Sequence, residues 1–266
     1  MAQRMPSTYD IDPDDPRAPT QAEWERMTPP ERERVLAMLP MEVPEELMPP
    51  EGDRHSGPKM RAREMLDGFF RRVGRKVYVS GELNVFYPGE RRFAPDVFAV
   101  LDVEPGERDK WLVSLEGKGL DFVLEVHLDG SREKDFRLNV ERYARLGIAE
   151  YFIFDRGEMR LYGHRLPPGG QRASYVPLVP HQGRFPCEVL GLDLAVEGSR
   201  LRFFRGAEPL PDADELITKL GEMVDDLSAR RRADAERADL EARRAAELQR
   251  QLAEARAEID RLKRGR

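Results

Sequence analysis

Apolar and polar positions change their spacing twice along the 266 residues, dividing the chain into three regions. In residues 1–52, prolines at 6, 13, 16, 19, 29, 30, 40, 44, 49 and 50 interrupt every apolar run. Proline removes a backbone donor and clashes with the preceding helical turn, so only short helices fit there. The best is TPPERERVLAMLP, with Thr28 as cap, prolines just inside the start, Val35, Leu36 and Leu39 as an apolar edge, and Pro40 as stop. This region is expected to be an appendage laid on the core, or partly disordered.

Residues 53–208 read as an α/β core. A helix over about 58–73 carries an apolar stripe of Met60, Met65, Leu66, Phe69 and Phe70. KVYVSGELNVFY and FAPDVFAVL read as two strands joined by the turn PGERR, and DFVLEVHL as a third. SREKDFRLNVERYARLG is a helix capped by Ser131 and stopped at Gly147, and the buried strand EYFIFD follows. Strand, helix and strand in that order predict a right-handed crossover between two parallel strands. RLYGHRL, ASYVPLV and SRLRFF add shorter strands, and PPGGQ reads as a hairpin turn.

Residues 209–266 read as one long helix rich in Ala, Arg, Glu and Leu. Steps of three and four mark a seam at Ile217, Leu220, Val224 and Leu227, fail at Arg231, Asp234 and Glu241, and recover through Ala245, Leu248, Leu252, Ala255, Ile259 and Leu262. A coiled coil that makes the chain a homodimer is expected, with a solvated single helix as the alternative.

Composition narrows the setting. A single cysteine excludes an intramolecular disulfide, and no apolar run approaches the length of a membrane span. A cytoplasmic protein without membrane contact is expected. A net charge of −6 argues against a surface that is basic throughout, and leaves room for a local basic groove.

The candidate chemistry lies in two carboxylates set among apolar strand residues. Asp96 follows Pro95 in an expected strand, and Glu125 lies on the next one. An ionised carboxylate is costly to bury unless it is paired, hydrogen-bonded or metal-bound. Side chains alternate along a strand, so Glu125 and His127 share a face. Two carboxylates, a backbone carbonyl and waters suit Mg2+, which takes oxygen ligands at about 2.0–2.1 Å. The structural alternatives are a turn-capping Asp96, a Glu125 paired with an arginine, and a His127 that is merely hydrogen-bonded. Arg132, Lys134 and Arg137 could touch a nucleic-acid backbone or simply keep a surface helix soluble.

Pro95-Asp96 and Glu125-Val126-His127 resemble the PD-(D/E)XK nuclease superfamily. More closely, APDVFAV, FVLEV and KDFRLNVERYARLGIAEYFIFD resemble its bacterial restriction-endonuclease-like family. The resemblance implies a restriction-endonuclease-like mixed sheet flanked by helices, with Asp96 and Glu125 as Mg2+ ligands, Mn2+ as a substitute, and DNA as the partner. It also implies a lysine either two residues after the glutamate or one turn after Asp135, where this chain has His127 and Asn139. Lys134, helped by His127, is the first candidate to replace it and Lys118 the second; Glu64 falls where the superfamily often places a further acid. A nuclease-fold module that binds nucleic acid or a protein without cutting stays open for the same reason.

Overall fold

The computed structural model describes residues 9–45, 52–128, 131–169 and 174–264, without the side chains of 258, 260 and 262–264. One unit runs to Asp212 and a second begins at Ala213.

Within the Pro-rich stretch, α1 (Gln21–Arg26) and α2 (Pro29–Met38) form as capped pieces. Glu23 and Glu31 each accept the backbone N–H of a threonine three residues earlier, at 2.8 and 2.7 Å. Such boxes satisfy donors that a helix start leaves orphaned. The expectation for Thr28 thus holds; α1, which the pattern did not single out, uses the same device at Thr20. α3 (Asp53–Val73) begins ahead of Pro58 rather than at it, because the Gly52 carbonyl anchors its first turn from His55 at 2.9 Å.

β1 (Val77–Ser80) and β2 (Val85–Phe86) are separate strands where one was expected. The break has a steric cause at one position. A Cβ on Gly81 would lie 2.1 Å from the Asp96 carbonyl oxygen, and Glu82 has φ of 55°. The chain turns there, so β1 pairs antiparallel with β3 (Val97–Leu101), while β2 leaves to pair parallel with β4 (Trp111–Leu112). The PGERR turn survives between Val85 and Phe93, whose backbones bond at 2.8 Å. Ala18, Trp24, Met27, Val35 and Leu39 bury against Phe86 and Leu112, which fixes the Pro-rich stretch to this corner.

After the single turn α4 (Val113–Glu116) comes β5 (Phe122–His127), antiparallel to β3 and parallel to β6 (Glu150–Asp155). The connection is helical as expected, but it opens with a π-helical turn, Lys134–Leu138, before α5 (Asn139–Arg145). β7 (Arg160–Arg165) and β8 (Val176–Pro177) complete a mixed sheet in the order β1-β3-β5-β6-β7-β8. Part of the expected PPGGQ turn, residues 170–171, lies outside the described residues. β9 (Phe185–Cys187), β10 (Leu192–Glu197), β11 (Arg200–Arg205) and β12 (Glu208–Pro209) form a second, antiparallel sheet.

Strand alternation divides the core in two. Leu124, Val126, Phe152 and Phe154 pack with α3 and the second sheet, whereas Val123, Tyr151 and Ile153 pack with Tyr143 of α5 on the opposite face. The second unit is α6 (Ala213–Arg264), a 52-residue helix and hence about 78 Å long. Its seam residues Ile217, Leu220, Val224, Leu227, Leu248 and Leu252 are all exposed.

Candidate active site

The period-2 alternation of β5 sends Leu124 and Val126 into the α3 layer and turns Glu125 and His127 toward α5. Asp96 stands immediately before β3 rather than within a strand, close against Gly81, where the Glu82 N–H donates to the Pro95 carbonyl at 2.8 Å. The two acids interlock. The Asp96 backbone N–H donates to Glu125 Oε2 at 3.1 Å, and the Val126 N–H donates to Asp96 Oδ2 at 2.7 Å. Each carboxylate is therefore oriented by the backbone beside the other.

The outer oxygens are held by side chains. Tyr143, from α5, donates its hydroxyl to Glu125 Oε1 at 2.7 Å. Lys59, from α3 and thus from the opposite layer, places Nζ 2.8 Å from Asp96 Oδ1 and 3.4 Å from Glu82 Oε1. A carboxylate oxygen has two lone-pair directions, so each of these oxygens retains one for a further ligand. No arginine holds Glu125 among the described residues; tyrosine does.

Charge at the site is unbalanced. Glu125 is 5% exposed, and burial first, then the charges of Asp96 and Asp135, raise its pKa well above the ordinary value, with Lys134 and the Tyr143 hydrogen bond opposing. Tyr143 is likewise raised well above its usual value by burial and then by Glu125, so it stays a donor. Beside them, His127 Nδ1 lies 2.9 Å from Asp135 Oδ2, and Asn139 Nδ2 donates to Asp135 Oδ1 at 3.3 Å. The π-helical turn sets this arrangement, because the Asn139 N–H bonds the Lys134 carbonyl, five residues back.

The structure thus brings together Asp96, Glu125 and His127 of the expected set. Lys134 is exposed, although its charge is felt at Glu125. Lys118 is tied to the Leu101 carbonyl at 2.6 Å and to Asp121 at 3.0 Å, at the opposite end of β5, and does not join the pair. Glu64 is exposed on α3. Lys59 and Glu82 were not anticipated: one lysine on a helix and one acid after Gly81 carry no spacing signal, and only the tertiary fold brings them to Asp96.

The donors present fit a hard, oxygen-preferring cation. Among the described residues no three His, Cys, Asp or Glu side chains are grouped to hold a metal. Mg2+ is commonly held by one or two carboxylates, with waters and substrate phosphate completing its shell. Asp96 and Glu125 supply that number, and their mutual repulsion is what a divalent ion would relieve.

A model of the Uma2 family, described as putative restriction endonuclease, matches residues 25–197. No curated protein matches the chain. Among solved structures, a putative nuclease belonging to DUF820 from Anabaena variabilis is similar at 16% identity, with a TM-score of 0.41, over 53% of this chain and 75% of that one.

Proposed function

This chain belongs to the Uma2 family of putative restriction endonucleases, and on that premise we propose that it is a divalent-metal-dependent nuclease acting on DNA phosphodiester bonds. The observation that carries the reading is the interlocked pair Asp96 and Glu125, in which the buried Glu125 is held above its ordinary pKa by burial and then by the charges of Asp96 and Asp135. These two residues would hold Mg2+, or Mn2+ in its place. A metal there would polarise the phosphodiester and make bound water more acidic.

The chain's own groups do the rest. Lys59 supplies the cation that His127 and Asn139 do not, fixing Asp96 from the α3 side. His127, steered through Nδ1 by Asp135, would accept at Nε2 a proton from the attacking water as the water oxygen bonds to phosphorus, while the bond to the leaving oxygen breaks and that oxygen takes up a proton from solvent. Lys134, exposed beside Glu125, meets the phosphate. We take 53–208 as the nuclease core, 1–52 as its appendage and 209–266 as the segment through which two copies pair, since the apolar seam of α6 is exposed along its length.

Cleavage of plasmid and single-stranded DNA in Mg2+ or Mn2+, by the wild type and by Asp96→Ala and Glu125→Ala, tests the reading. Loss of cleavage in both variants is expected. A folded wild type that binds DNA but cuts with neither metal would favour a binding module, the reading suggested by His127 and Asn139 at the usual lysine positions.

A further inference from the structure

Arginines of the core fall into two classes. On the helical connection after β5, Arg132 pairs with Asp155 and Glu158, and Arg137 with Glu133. Their charge is spent within the protein. Arg54 and Arg61 of α3, and Arg156 directly after β6, have no carboxylate partner among the described residues.

Arg156 feels the charge of both Arg54 and Arg61, and the stretch of α3 between those two carries the residues that reach β5 and Asp96. Arg54 and Arg61 are two helical turns apart on one face of α3, about 10 Å along its axis. Between them in sequence, His55 Nε2 contacts the Val126 carbonyl and Lys59 reaches Asp96. The next carbonyl of β5, that of His127, accepts the Arg156 N–H at 2.7 Å. The Arg156 guanidinium sits 5.7 Å from the Phe154 ring centre and donates to the Ser199 carbonyl, while its Nε is buried without a partner. Burial, and then the charges of Arg54 and Arg61, pull Arg156 below its ordinary pKa.

An Arg156 repelled by both Arg54 and Arg61, on a chain of net charge −6, gains most from a ligand with several negative charges in a row. About 10 Å spans roughly three nucleotides of one strand at ~3.4 Å per nucleotide. We propose that Arg54, Arg61 and Arg156 form a docking surface for the sugar–phosphate backbone of the nucleic acid whose scissile phosphodiester reaches Asp96 and Glu125. The identity of that ligand as the substrate rests on the nuclease reading.

The test is binding of a short mixed-sequence duplex and of its separated strand to the full chain, without divalent metal, over a series of salt concentrations. In the Arg54→Gln/Arg61→Gln double variant the slope of log K against log salt for the duplex shrinks by about 2, near one unit per lost phosphate contact. Arg54→Lys/Arg61→Lys retains the slope, which separates charge from misfolding, and Arg231→Gln/Arg232→Gln in α6 leaves it unchanged. An unchanged slope in the first variant, or an equal loss in the α6 variant, overturns the proposal.

Hydrolysis of bis(p-nitrophenyl) phosphate with Mn2+ separates this idea from the nuclease reading. The Arg54→Gln/Arg61→Gln variant should hydrolyse this small ester at the wild-type rate. A comparable loss there would place the arginines at the reaction centre and overturn a docking role. A wild type that cleaves neither the ester nor DNA, yet shows the arginine-dependent slope, sinks the nuclease reading and leaves the docking surface standing.

Discussion

In the core, Lys59, Glu125, His127 and Asp155 are 4%, 5%, 6% and 1% exposed. In α6, Asp226 and Arg230 pair at 2.8 Å while 60% and 73% of their side chains face solvent. Both units carry charged side chains of both signs, and the energetics of those charges differ. A buried charge is tolerable only where partners replace water, so each one in the core constrains its neighbours. An exposed pair one helical turn apart contributes a few tenths of a kcal/mol and constrains little. Burial, not the number of charged residues, separates a site from a solvated face.

The sharpest way to break this contrast is at the carboxylates. Asp96→Ala and Glu125→Ala should each reduce DNA cleavage by at least about 10³-fold, the several kcal/mol that a positioned metal supplies to a phosphoryl transition state. Calorimetric titration with Mn2+ should show weakened binding in both. Wild-type cleavage by either variant would mean that the pair is structural.

Lys59→Met comes next. It leaves Asp96 without its cation, and breaking a buried pair commonly costs about 3–5 kcal/mol. A lowered melting temperature is expected, partly recovered by Mn2+, together with a drop in cleavage of about 10²-fold. Lys59→Arg should regain part of both. Full cleavage by a stable Lys59→Met protein would return the cationic role to Lys134.

The pH dependence of stability sharpens the same point. Glu125 has a folded-state pKa raised by burial, Asp96 and Asp135. The folded state therefore holds a proton that the unfolded chain releases, and stability falls as pH rises from the unfolded value through the folded one. In metal-free protein the melting temperature should decline over that interval, and Glu125→Gln should flatten the decline. Saturating Mg2+ should oppose it by favouring the ionised carboxylate. A melting temperature that rises with pH over the same interval in the wild type would contradict the assigned direction.

Much of this was legible in the chain. Alternation in FVLEVH gave Glu125 and His127 a common face, and the helix before EYFIFD placed β5 and β6 parallel. The approach of Asp96 to Glu125 followed from strand neighbourhood and family resemblance together. Less visible was the break at Gly81, since KVYVSGELNVFY keeps a strand-like composition and only the Asp96 carbonyl, distant in sequence, makes a side chain impossible there. Lys59 was hidden because a helix face is assigned by its apolar residues, and α3 turns a lysine inward between them toward a partner 37 positions away. The π-helical turn at Lys134–Leu138 has no periodicity of its own and passes for α-helix.

The α6 seam and its surface pairs give the smaller effects. If two copies join through the seam, Leu248→Asp places a charge in it and should shift sedimentation from dimer toward monomer, while hydrolysis of a small phosphodiester by the core persists. Asp226→Ala/Arg230→Ala removes an exposed pair with an ideal helical spacing. Its contribution should be about 0.3–0.5 kcal/mol, because water and salt already screen both charges. Helix content by circular dichroism and dimer affinity by sedimentation should therefore stay near wild type, and the small difference should shrink further at high salt. An effect as large as that of Leu248→Asp would show that Asp226 and Arg230 meet a partner across the seam, and would move charge in α6 from the solvated class into the constrained one.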